Sequence, residues 1–189
     1  MTHAQQEPDE DWFWAVVQRS LEASGGDRPK QNEAIAGELR GCSERALAFF
    51  VRFHVALCDA AYTLDHWGAF YLISGGCSED ELWFFLCWLI TRGRKSFKLW
   101  MNDPDSLADF PDNLNERDQS VEDLARVAYE VHLAKFGFYP ETELWPGGAP
   151  VDGEPWEAEE AVFRARWPKL YAKHWNRWPA KEGEAAGEN

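Results

Sequence analysis

The stretch 61-AYTLDHWGAFYLISGGCSEDELWFFLCWLITRG-93 decides how this chain folds. It carries Trp67, Trp83 and Trp88, with Phe70, Tyr71, Phe84 and Phe85 among them, and one break at Ser74-Gly75-Gly76-Cys77-Ser78. Alternating strand patterns are nearly absent, so its apolar residues suit buried helices on either side of a glycine turn. Ser78-Glu79-Asp80-Glu81 is a Ser-x-x-Glu capping box ahead of an apolar run. The helix it opens, Glu79 to Thr91, is apolar round most of its circumference and belongs at the centre of the fold. The helix before it starts at Leu64 or Asp65, runs to Ile73 and stops at Gly75-Gly76.

On the N-terminal side, Asp9 to Ala23 reads as a first helix with Trp12, Val16 and the stem of Arg19 on one face, ended by Gly25-Gly26. Pro29 to Leu39 forms a short second helix. Ser43 opens a third, through about Tyr62, with Leu47, Phe50, Val51, His54, Val55 and Cys58 along its inward side. On the C-terminal side, Gly93 breaks the chain and Arg94 to Asn102 supplies a further amphipathic helix. Asp103-Pro104-Asp105-Ser106 is a turn, because the residue before proline leaves the helical region. The loop 109–118 is rich in Asp, Asn and Pro, and Ser120 caps a helix running to about Lys135. Residues 136–155 read as a Pro/Gly-rich surface linker, 156–181 as a helical segment broken at Pro168, and 182–189 as a disordered tail. The fold class is all-α: a compact multi-helix core over residues 1–135 with an additional aromatic, basic C-terminal helical segment packed against it.

Eleven tryptophans in 189 residues supply ample apolar area, so stability does not depend on disulfides. Cys42, Cys58, Cys77 and Cys87 lack CxxC pairing and match no zinc framework; all four read as reduced thiols. No apolar run approaches the roughly 20 residues of a membrane helix, and no leader pattern opens the chain, so the expectation is a soluble cytoplasmic protein without membrane partners. The formal net charge of −14 argues against nucleic acid, which requires a basic face. Yet Val162 to Lys181 holds six Lys or Arg and no acid. Either this basic segment docks on its own acidic body or it meets a partner.

Three pieces of the chain resemble a bacterial family known as domain of unknown function 4240. They are Asp11-Trp12-Phe13-Trp14, the long string from Tyr62 to Arg94, and Asp103-Pro104-Asp105-Ser106-Leu107. The likeness covers about residues 11 to 135. It implies a small bacterial helical protein of a kind sometimes found beside or fused to WGR-type modules, with no assigned activity. No WGR-like segment is present, and the aromatic, basic C-terminal segment lies outside the resemblance.

The residues offer several candidate chemistries, each beside a structural alternative. Asp65 and His66 can serve general acid–base work, but neighbours on a helix point about 100° apart, and Asp65 also suits an N-cap. His54 and Cys58, at i and i+4, can supply two metal ligands that His66, His132 or Cys77 would have to complete; ordinary packing is the competing reading, and no metal or cofactor is expected. Gly75 and Gly76 lead into a helix N-terminus whose free N–H groups can hold an anion, with Arg92 and Arg94 to help if the next turn folds back, although Ser78 and Glu81 satisfy some of those donors and Glu79 and Asp80 repel an anion. Phe163, Trp167, Tyr171 and Trp175, spaced by four with Arg and Lys between, suit a partner groove, a single-stranded nucleic acid, an anionic membrane or self-packing.

The expected function is non-enzymatic: a protein-binding, regulatory or immunity-type accessory domain whose acidic body steers a basic protein partner. The alternative is a small-ligand binder or enzyme with a pocket lined by Asp65, Trp67, Asp80, Trp88 and Arg92.

Overall fold

The computed structural model describes residues 7–110, 124–141 and 151–177. Nine α-helices are formed over these residues: α1 Glu10–Ser24, α2 Arg28–Arg40, α3 Glu44–Ala61, α4 Leu64–Ser74, α5 Glu79–Thr91, α6 Arg94–Asn102, α7 Leu124–Phe136, α8 Glu160–Arg166 and α9 Pro168–His174. Short 3-10 helices occupy Pro104–Asp109 and Trp175–Arg177. No β-strand occurs among the described residues, and the one extended pairing is an isolated bridge between Thr63 and Asp152. The all-α reading is correct.

Local chemistry sets the helix boundaries. The Asp9 side chain accepts a hydrogen bond from Trp12 N, Asp27 from Lys30 N and Ser43 from Ala46 N, so α1, α2 and α3 each begin on a side-chain cap. At α5 the capping box is complete: Ser78 Oγ accepts from Glu81 N at 3.3 Å, and Glu81 Oε2 accepts from Ser78 N at 2.8 Å. Gly25 and Gly75, at φ 60° and 71°, close α1 and α4 in the left-handed conformation that a side chain would resist. Pro104 opens a 3-10 helix rather than a simple turn; Asp103 caps it from outside by accepting from Asp105 N.

α3 packs against α7, α7 against α2 and α2 against α1, while α5 touches α1, α3 and α6 from within. Its side chains Leu82, Trp83, Phe85, Leu86, Cys87, Leu89 and Ile90 are buried, which explains a helix apolar on almost every side. The last carbonyls of α5 need partners, and one comes from α2: buried Gln31 donates from Nε2 to Thr91 O at 2.9 Å. A second group of elements (α4, α6, the 3-10 helix Pro104–Asp109, α8 and α9) closes the other side of the domain. Aromatic rings join the two groups. Phe70 of α4 stacks on Phe85 of α5 at 4.3 Å, and Phe85 meets Trp100 of α6 edge-on at 5.4 Å.

The C-terminal segment packs deeply into this second group. Phe163, Trp167 and Leu170 are buried. Trp156 donates from Nε1 to Leu64 O at 2.7 Å, and Leu64 N donates to Asp152 O at 2.7 Å. Gly68 faces the Trp167 indole so closely that a Cβ there would lie 2.7 Å from its Cζ2 and 2.9 Å from Trp156 Cε2. The expected loop at 111–118, the Ser120 cap, Trp178, the middle of the proposed linker and the final eight residues fall outside the described residues.

Candidate functional site

α4 and α5 carry most of the residues that the sequence marks for chemistry, and the structure separates them. Thr63, not Asp65, is the N-cap of α4: its hydroxyl accepts from His66 N at 3.3 Å. Asp65 sits in the first turn and pairs instead with Arg166, Oδ1 to Nη2 at 3.0 Å. Arg166 in turn lies over the Trp167 ring, 5.0 Å from its centroid. His66 points inward, with Nδ1 2.6 Å from Thr63 Oγ1, Nε2 3.2 Å from Trp100 O, and its ring tilted against Trp100. Burial holds the His66 pKa below the ordinary imidazole value, against the pull of the Trp100 carbonyl and the Asp65 charge. Both ring nitrogens thus have structural partners, and no hydrogen bond joins Asp65 to His66. Trp67 packs half-buried against Tyr62.

The pocket expected from Asp65, Trp67, Asp80, Trp88 and Arg92 does not converge. Asp80 lies in the first turn of α5 and Arg92 is its C-cap. A helix rises 1.5 Å per residue, which places the two about 18 Å apart. The help that Arg92 and Arg94 would give an anion at Gly75-Gly76 is absent for the same reason. Arg92 is at the far end of α5, and Arg94 turns to α1, where it contacts Glu10 and Asp11 at 2.6 Å each. Those two carboxylates raise the Arg94 pKa. Gly75 serves as the α4 cap, and Gly76 N donates to Tyr71 O at 3.0 Å.

What the structure does bring together is one face of α5. Asp80, Trp88 and Arg92 recur at multiples of four residues, and Phe84, not among the candidate site residues of the sequence, completes the series. Each step of four turns about 40° round the helix, so the four form a slanted row rather than a pocket. Asp80 is exposed, Phe84 is 46 % exposed, and Trp88 and Arg92 are half-buried. Arg92 lies over the Trp88 ring, 5.2 Å from its centroid, with Nη1 3.8 Å from where a Cβ on Gly26 of the α1–α2 turn would sit. Desolvation lowers the Arg92 pKa. Among the described residues no carboxylate pairs with Arg92, and its buried Nε reaches no acceptor. The signal that could have exposed Phe84 was its phase: it shares the register of polar Asp80, not that of Leu82, Phe85 and Leu89.

A family model described as "Protein of unknown function (DUF4240)" matches residues 9–132, well over half of the chain. The chain belongs to the DUF4240 family. The matched region takes in α1 to α6, most of α7 and the whole α5 face; α8 and α9 lie beyond it. Neither a curated protein nor a solved structure matches the chain.

The basic segment spreads over this DUF4240 region. Arg166 pairs with Asp65, Lys169 lies 3.8 Å from Asp109, and Lys173 Nζ donates to Ala108 O and Phe110 O at 2.8 and 3.1 Å. Asp105, buried in the 3-10 helix, accepts from Lys169 N at 3.1 Å and Leu170 N at 2.9 Å, so it caps α9 from a distance. Tyr171 and Trp175 remain half-buried and stack on each other at 5.4 Å.

Proposed function

We propose that this DUF4240 chain is a non-enzymatic protein-binding domain with a regulatory or accessory role, and that its docking surface is the outer face of α5. The observation that carries this reading is the row Asp80, Phe84, Trp88 and Arg92. It combines an exposed aromatic, a Trp–Arg pair and a half-buried guanidinium with no carboxylate partner among the described residues. Trp and Arg are over-represented among residues that dominate binding energy. Covering Phe84 would contribute roughly 1–2 kcal/mol, and an acidic group brought to Arg92 would form a charge-assisted pair where water is already partly excluded.

The charge pattern supports the choice of partner. Basic groups of the C-terminal segment are engaged by Asp65, Asp109 and backbone carbonyls of the same chain, which leaves the formal charge of −14 to act outward. Such a surface steers a basic protein. The complementary partner is therefore basic overall, with an apolar side chain for Phe84 and Trp88 and one acidic group for Arg92. Four free cysteines fit a reducing cytoplasmic setting.

The test is paired capture by wild type and by Phe84→Asp from native lysate, read by native mass spectrometry. The expected result is one stoichiometric basic partner, released by added salt and recovered at least tenfold less with Phe84→Asp at an unchanged melting temperature. Equal recovery by the two would overturn the assignment of this face. A second reading is favoured by the guanidinium facing the Gly26 turn: a small anionic ligand held between Arg92, Trp88 and the α1–α2 turn. It would show as a small-molecule adduct lost in Arg92→Gln but kept in Phe84→Asp.

A further inference from the structure

His54 and Cys58 sit one turn apart on the buried face of α3, and Cys87 faces them from α5. All three are fully buried. Cys58 Sγ is 3.9 Å from Cys87 Sγ and 4.0 Å from His54 Nδ1, and one ligand atom from each residue falls within 4.8 Å of the others. The sequence reading recognised the first two as a pair but looked for the third ligand in His66, His132 or Cys77. His66 is held by Thr63 and Trp100, and His132 Nδ1 lies 2.8 Å from Phe138 O. Cys87 was overlooked because only tertiary packing of α5 on α3 brings it near.

We propose that His54, Cys58 and Cys87 bind a thiophilic closed-shell cation, zinc(II) or copper(I), that fastens α3 to α5. Metal–sulfur bonds of about 2.3 Å and metal–nitrogen bonds of about 2.0 Å put two sulfur donors roughly 3.8–4.0 Å apart, and a sulfur and a nitrogen roughly 3.5–3.7 Å apart, in tetrahedral or trigonal geometry. The Sγ–Sγ separation of 3.9 Å falls in the first range, and His54 Nδ1, 4.0 Å from Cys58 Sγ in a cluster whose ligand atoms all lie within 4.8 Å of one another, closes on the metal by a small shift of its ring. Two thiolates and an imidazole form a soft donor set that discriminates against magnesium and calcium. Binding releases the two thiol protons, and zinc(II) then leaves the buried cluster electrically neutral. Copper(I) leaves one negative charge but is satisfied by three donors, the number that this cluster offers among the described residues.

The full chain, reduced and stripped with a chelator, is to be given one equivalent of zinc(II) or of copper(I) in separate samples, dialysed and weighed by native mass spectrometry. The expected result is one retained ion per chain in one arm, a higher melting temperature, and at least a hundredfold weaker binding in Cys58→Ala/Cys87→Ala. Cys42→Ala/Cys77→Ala should bind as wild type does. Retention of zinc assigns a four-coordinate centre with one open position, and retention of copper a trigonal one. Because the double variant can fail to fold, cadmium is added to wild type as an independent readout, and a thiolate-to-metal charge-transfer band is expected. Overturning results are no retained ion in either arm together with no cadmium band, binding undiminished in a folded double variant, or a Cys58–Cys87 disulfide whose reduced form binds nothing.

Discussion

The indole of Trp167 occupies the space that a side chain at Gly68 would need. A Cβ at residue 68 would lie 2.7 Å from Trp167 Cζ2, closer than real carbon contacts permit. Gly68 lies in the middle of α4, where glycine costs roughly 1 kcal/mol relative to alanine, so its presence is explained by what it admits. Gly68→Ala should therefore destabilise the chain despite the gain in helix propensity. Overpacking of this kind costs about 1–3 kcal/mol, measurable as a lower urea midpoint. A stabilising Gly68→Ala would mean that Trp167 does not lie there.

Trp167→Ala removes the other member of the pair. Emptying a buried tryptophan site costs about 3–5 kcal/mol, and limited proteolysis should then cut within 151–177 first. Uniform cleavage kinetics in wild type and variant would contradict the packing.

Asp105 accepts from both Lys169 N and Leu170 N, the second and third residues of a helix whose first residue is Pro168. Proline has no N–H to satisfy, so one carboxylate meets the first two available donors. Asp105→Ala should cost about 1–3 kcal/mol and Asp105→Asn less, since the amide still offers one acceptor. Denaturant titration of the two variants checks the order.

His66 gives the fold a pH dependence. Its folded pKa is lowered by burial, so between that value and the unfolded value near 6.5 the unfolded chain binds more protons than the native one. The contribution is complete above about pH 6.5 and is lost as pH falls towards the folded value, with a slope of at most about 1.4 kcal/mol per pH unit. Stability measured from pH 7.5 down to 5.0 should fall more steeply for wild type than for His66→Gln. Parallel curves would remove His66 from the account.

Asp65→Asn is expected to do little. The Asp65 and Arg166 side chains are 45 % and 25 % exposed, and an ion pair so open to water contributes about 0–1 kcal/mol. A melting temperature within a few degrees of wild type fits this role.

Much of the fold was legible because its signals are local. Ser78 and Glu81 sit three residues apart, Gly25 and Gly75 end their helices within the same turn, and the apolar phase of α3 runs unbroken from Leu47 to Cys58. The site was not legible to the same degree. Which of Asp65, Asp80, Arg92 and Arg94 meet depends on the path of the chain between them. Arg94 reaches Glu10 and Asp11, more than eighty residues away, and Asp65 meets Arg166 one hundred and one residues away. Phe84 hides among apolar neighbours until α5 is set in the core, and Cys87 becomes a neighbour of Cys58 only when α5 packs on α3. The basic segment was ambiguous for a related reason: a stripe of aromatics and bases looks alike whether it grips a partner or its own body.

The central claim is that the aromatic, basic segment packs on its own chain and completes the fold. Amide hydrogen exchange on the native full chain tests it most directly. The account predicts that amides from Phe163 to His174, Leu170 N foremost, are protected to a degree approaching those of α4, and that Trp167→Ala releases both together. Exchange of 163–174 at the rate of a free peptide, with α4 still protected, would show a detached segment and contradict the account.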